Sequence, residues 1–89
     1  MKLKKYLTEA VWAKGMWVIQ KQSDYNIYML LIDKLKNGGW SAVTISDDRP
    51  IAAKHSIKNV YPTPEVIDPK DVPPKLKIKV EKKLKKLGI

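Results

Sequence analysis

Residues 27–46, Ile-Tyr-Met-Leu-Leu-Ile-Asp-Lys-Leu-Lys-Asn-Gly-Gly-Trp-Ser-Ala-Val-Thr-Ile-Ser, decide the fold. Their first half has two readings. As a strand, Ile27, Met29 and Leu31 face one way and Tyr28, Leu30 and Ile32 the other, and Asn37-Gly38 makes a hairpin turn into Trp40. As a helix, Ile27, Leu31 and Leu35 form a stripe behind a Ser23 or Asp24 cap, with Gly38 as terminator. We lean to the strand. The second half is plainer: over residues 40–46, Val43 and Ile45 share one face and Trp40, Ala42, Thr44 and Ser46 the other.

Working outward, Asp47-Asp48-Arg49-Pro50 is a turn, and residues 51–55 make a short returning strand that pairs with 40–46. Residues 56–60 read as a single helical turn. Upstream, residues 16–22 start apolar, turn polar and end at Ser23-Asp24, which predicts a first strand. Leu3, Tyr6, Leu7, Ala10 and Val11 recur at i, i+3, i+4, i+7 and i+8, so residues 2–14 read as an amphipathic helix stopped at Gly15. The fold class is therefore α+β: an N-terminal helix, then a small antiparallel meander or partly closed barrel of three to four strands, a Pro-rich connector and a basic C-terminal helix. In domain terms this is a single unit of 89 residues, divided into a body at 1–61, a connector at 62–74 and the helix at 75–89.

The run Gly39-Trp40-Ser41-Ala42-Val43-Thr44-Ile45, a polar turn, a short strand and then Ile57-Lys58-Asn59-Val60-Tyr61-Pro62 resembles the end of a Tudor- or KOW-type small barrel. The likeness covers residues 16–62. It also extends, in architecture alone, to the small basic chromatin proteins of thermophilic archaea. It implies a binding module whose ligand is nucleic acid, a protein or a methylated side chain, and fold alone does not choose among these.

Charge narrows the choice. The chain carries 18 Lys and Arg against 9 Asp and Glu, a formal +9. Residues 75–87, Lys-Leu-Lys-Ile-Lys-Val-Glu-Lys-Lys-Leu-Lys-Lys-Leu, hold seven Lys and one Glu, leaving only +3 for residues 1–74. Between body and basic end, residues 62–74 contain five prolines, which exclude a continuous helix and favour an extended, semi-rigid connector, unless Val66 and Ile67 pin it across the body. As a helix begun by Pro73 and Pro74, the end places Leu76, Val80, Leu84 and Leu87 on a narrow apolar stripe flanked by lysines, although Leu76, Ile78 and Val80 also alternate as a strand would.

A dense lysine array without Phe or Trp suits phosphate better than a membrane surface. Lys75, Lys77, Lys79, Lys82, Lys83, Lys85 and Lys86 are thus candidate nucleic-acid contacts. Trp40, on the more polar strand face, joins them as a stacking or wedging group. Arg49, Lys54 and Lys58, with Lys21, could line the same surface. Since Arg49 is the single arginine, bidentate reading of guanine or phosphate is not the main device, and sequence preference should be slight. Trp17, set among Met16, Val18 and Ile19, reads as core.

Catalytic chemistry has little to use. There is no Cys and one histidine, His55, whose only nearby carboxylates are Asp47 and Asp48 of the turn. Arg49 with His55 in a cleft would make a small ribonuclease, a weaker idea. Metal ligands are scattered, and no glycine spacing matches a phosphate loop. The sequence therefore predicts a non-enzymatic, largely non-specific nucleic-acid-binding module without cofactor or metal, DNA being favoured over RNA. The alternative is a small adaptor or inhibitor that docks an acidic protein through the Lys-rich helix. The longest apolar run has six residues, so no membrane span is expected, and the lack of cysteine fits a soluble, cytoplasmic protein.

Overall fold

A computed structural model of the chain describes residues 12–58 and 63–89. Five strands, β1 (Trp17–Lys21), β2 (Asn26–Lys34), β3 (Trp40–Ser46), β4 (Ala53–Ile57) and β5 (Glu65–Ile67), are followed by a 3-10 turn (Pro69–Asp71) and a helix, α1 (Pro74–Leu87). The sheet is antiparallel in the order β4-β3-β2-β1-β5. The first four strands form a meander, and β5 returns to pair beside β1.

Residues 27–34 are thus strand rather than helix. Alternation explains it: the meander buries both faces of β2, Tyr28 and Ile32 on one side, Met29 and Leu31 on the other. A helix would expose one of the two sets. Opposite residues in the ladder keep faces consistent, with Leu30 against Val43 and Leu31 against Ala42, until a bulge between Leu31 and Asp33 absorbs one residue. The turn expected at Asn37-Gly38 is present. Leu35 N–H donates to the Gly39 carbonyl at 2.8 Å, and Gly39 N–H donates to Asn37 Oδ1 at 2.9 Å.

Gly39 is also the point of closest approach between this turn and the end of β4. A Cβ there would stand 2.8 Å from the Ile57 carbonyl oxygen and 3.0 Å from Lys58 Cβ. Gly39→Ala is therefore expected to push the two chain ends apart and to cost about 1–3 kcal/mol, read as a lowered urea midpoint.

Two apolar clusters lie on the two faces of the sheet. On one, Trp17, Ile19, Tyr28, Ile32, Val43 and Ile45 pack against Val72, Leu76 and Val80, with Leu84 at the margin. On the other, Val18, Met29, Leu31, Ala42 and Ile57 are buried together, with Trp12, Met16, Ile27 and Trp40 partly buried around them. Trp17 is core, as the sequence suggests.

Several boundaries and one architecture differ from the sequence reading. The sheet is open, not a barrel: β4 and β5 are its two edges and do not pair. One face is filled by α1, so closure is not needed to bury it. The returning strand falls at Ala53–Ile57, two residues later than 51–55, because Pro50 and the turn around it occupy residues 49–51 and leave Ile51 69% exposed. Ser56 and Ile57 consequently belong to β4, not to a helical turn, and residues 59–60 lie outside the described residues.

The expected N-terminal helix at 2–14 lies outside the described residues up to 11, and residues 12–14 are not helical. The Pro-rich connector does not stand free over its described part. Pro64 and Val72 are buried, Val66 pairs with Val18 and Ile67 with Trp17. Pro64 precedes β5 and Pro69 opens the 3-10 turn, where no ladder hydrogen bond is asked of them, so Val66 and Ile67 do pin the segment.

Candidate nucleic-acid interface

The helix that carries the lysines is built to begin and end sharply. Pro74 opens it at a position where the missing N–H costs nothing, and Asp68 caps the preceding 3-10 turn by accepting from Lys70 N–H at 3.0 Å. Gly88 closes it in the left-handed region at φ 75°, with the Gly88 and Ile89 N–H groups donating to the Lys85 and Leu84 carbonyls at 3.1 Å each. Lys85 and Lys86 in the last turn complement the negative end of the helix dipole. The strand alternative for residues 76–80 fails because Leu76 and Val80, one helical turn apart, are the pair that docks on the sheet. Ile78 between them is 52% exposed.

Docking of Leu76 and Val80 fixes where each lysine looks. Lys75, Lys79, Lys82 and Lys86 stand at i, i+4, i+7 and i+11, one continuous flank of the helix. From Lys79 onward that flank faces the β3–β4 connection. Lys79, Lys82, Lys83 and Lys86 line one side of a groove of about 240 Å³ whose other side is Pro50 and Ala52. Lys75, Lys77 and Lys85 do not line it.

The opposite wall is held by local hydrogen bonds. Asp47 ties it to the start of β2, its N–H donating to the Asn26 carbonyl and its carboxylate accepting from Asn26 N–H, both at 3.0 Å. Ser46 Oγ donates to the Asp48 carboxylate. Ile51 N–H donates to the Arg49 carbonyl at 2.7 Å across Pro50, whose ring suits the centre of such a three-residue turn. Arg49, next to the groove wall, is exposed. Asp47 and Asp48 are thus occupied by turn bonds.

Among the described residues the ion pairs are Lys14–Asp33 at 3.7 Å and Lys70–Asp68 at 3.9 Å. None of the seven α1 lysines takes part in one. Glu81, though one turn from both Lys77 and Lys85, pairs with neither.

The structure divides the remaining candidates. Lys54 lies opposite Val43 in the ladder and so projects on the α1 side of the sheet. Trp40 does not join the lysines. It lies opposite Ile57 and packs, half-buried, on the other cluster, because that face is apolar too and takes the ring as packing. Lys58 stands at the Gly39 end of β4, the end away from the β3–β4 connection. His55 lies opposite Ala42, on the face turned away from the groove. Among the described residues no three His, Asp or Glu are grouped to hold a metal ion, and no helix is long and apolar enough to cross a membrane.

Pro50 and Ala52 are groove residues that sequence reasoning did not single out. The concentration of lysine at 75–87 was open to view, but nothing local identifies the wall that four of them face. Another hollow, of about 450 Å³, lies on the outer side of α1, lined by Ile78, Glu81, Lys82, Leu84, Lys85 and Ile89. Comparison with known protein families, curated proteins and solved structures finds no match to this chain.

Proposed function

We propose that this protein is a non-enzymatic, largely sequence-non-specific nucleic-acid-binding module, with DNA its foremost ligand, that works by lysine–phosphate contacts from α1. One observation carries the reading: none of the seven α1 lysines is paired with a carboxylate among the described residues, and four of them converge on one groove. Clustered, unneutralised ammonium groups raise the energy of the free protein through self-repulsion, and a phosphate chain relieves it while releasing condensed counterions. Site residues in this reading are Lys75, Lys79, Lys82, Lys83 and Lys86, with Arg49 and Lys54 at the margin.

The test is titration of the full chain into a labelled DNA duplex by fluorescence anisotropy. With about four phosphate contacts, affinity is expected to fall about 10²-fold between about 50 and 200 mM salt. Absence of binding at the lower salt would overturn the proposal.

The adaptor reading has its own observation. Ile78 and Ile89, 52% and 55% exposed, sit in the outer hollow with Lys82 and Lys85 beside them, a surface that suits an acidic amphipathic segment of another protein. A stoichiometric complex recovered after nuclease treatment, and lost on Ile78→Asp, would favour it.

A further inference from the structure

Resting on the nucleic-acid reading above, we infer that the groove between α1 and the β3–β4 connection takes the phosphodiester backbone of a duplex and not a single strand. Proteins that hold single strands without sequence preference combine a basic groove with aromatic rings on which successive bases stack. Among the described residues the two are not brought together, and Tyr25, half-buried in the β1–β2 turn, is not among the residues that line the groove. The groove is lined by lysines, Pro50 and Ala52, with no ring. Trp17 and Tyr28 are buried beneath α1, and Trp12 and Trp40 belong to the cluster on the other face of the sheet.

Base-edge reading from α1 is also limited to what lysine and Glu81 can do. Helix α1 offers only Lys, Glu81 and apolar side chains, so none of the Arg, Asn or Gln groups that make bidentate base contacts is on it. What remains is a line of ammonium groups. From Lys79 to Lys86 the groove-lining lysines run about 10 Å at 1.5 Å per residue, a line of charge that lies along one phosphate backbone. A duplex carries one charge per about 1.7 Å of axis against about 3.4 Å for one strand, and a surface that only counts charge gains more from the denser ligand.

The test compares full-chain binding to a blunt duplex of about 20 base pairs, as DNA and as RNA, with single-stranded oligo(dT) of the same length. Either duplex is expected to bind about fivefold to tenfold more tightly than oligo(dT) near 0.1 M salt, with a log–log salt slope near −3.6 for about four contacts. Lys79→Ala, Lys82→Ala and Lys86→Ala should each flatten that slope by about 1, whereas Lys77→Ala and Lys85→Ala, outside the groove, should leave it in place. Trp40→Leu should not weaken duplex binding. Should that variant fail to fold, the comparison of ligands on the unaltered chain decides alone. Oligo(dT) binding as tightly as the duplexes, or equal slope losses at all five lysines, would overturn the inference and leave nucleic-acid binding standing. No binding to any of the three would overturn both.

Discussion

A chain truncated after Pro69 is expected to lose its fold and not merely its charge. The removed part contains Val72, Leu76 and Val80, exposed by only 2, 6 and 0%. At roughly 1.5–3 kcal/mol for each fully buried side chain, their loss comes to about 5–9 kcal/mol. The whole stability of a domain is about 5–15 kcal/mol. The loss would also strip the cover from Trp17, Ile19, Tyr28, Ile32, Val43 and Ile45 on the helix face of the sheet. Collapsed amide dispersion in NMR spectra, with dye binding to exposed apolar surface, is the expected result. A dispersed, native-like spectrum from the truncated chain would mean that α1 is an appendage and that its docking contributes little.

The functional consequence is direct. Loss of nucleic-acid binding on deletion of the basic end would report unfolding as readily as lost contacts, so the charge has to be removed with the helix left in place. Lys79→Ala, Lys82→Ala, Lys83→Ala and Lys86→Ala combined is the variant that does so. Each lysine–phosphate contact is worth about 0.7 decades at about 0.15 M salt, so the four together should lower duplex affinity about 10³-fold.

Stability should move the other way. Lys75 and Lys79, Lys79 and Lys83, and Lys82 and Lys86 are like-charge pairs at i, i+4. Each such pair is destabilising by about 0.2–0.5 kcal/mol, and alanine is the better helix former. The variant is expected to gain up to about 1–2 kcal/mol in chemical denaturation while it loses binding. Lost affinity with a raised midpoint separates an electrostatic role for these residues from a structural one. A variant that binds duplex as the unaltered chain does would end the proposal that α1 is the contact surface.

Such opposed effects follow from how the helix is composed. Its apolar contribution is narrow, Leu76 and Val80 buried with Leu84 partly so, while its flank is an uninterrupted run of one sign. Surface lysines serving only solubility would be interspersed with acids, as they are in residues 1–74.

Much of the secondary structure was open to reading along the chain, because it rests on local rules. The alternation over residues 40–46, the Asn37-Gly38 turn, the four-residue spacing of Leu76, Val80 and Leu84, and the Pro74 start and Gly88 stop of the helix are each contained within a few residues. So is the concentration of charge at 75–87. The strand at 27–34 was harder, since an apolar run of that length suits a buried strand or a buried helix alike, and only neighbours on both faces of the sheet choose between them.

What lies between elements belonged to tertiary structure. Whether β4 or β5 closes against β1 depends on which edge gains more by pairing. Val66 and Ile67 take the β1 edge, so the sheet stays open and the segment rich in proline becomes part of the body. Trp40 looks solvent-facing when its strand is read alone, because alternation assigns a residue to a face without saying what covers that face. The groove is the clearest case. The sequence by itself concentrated seven lysines in residues 75–87 and set them beside an apolar stripe that suits a helix, with a strand over Leu76, Ile78 and Val80 also open. Only the docking of Leu76 and Val80 against Val43 and Ile45 decided that Lys79, Lys82, Lys83 and Lys86 look at Pro50 and Ala52, some thirty residues away in the chain, and that every tryptophan described looks elsewhere. Periodicity specifies direction about a helix axis, but the rotation of that axis against the sheet is set by long-range packing, which no local pattern contains.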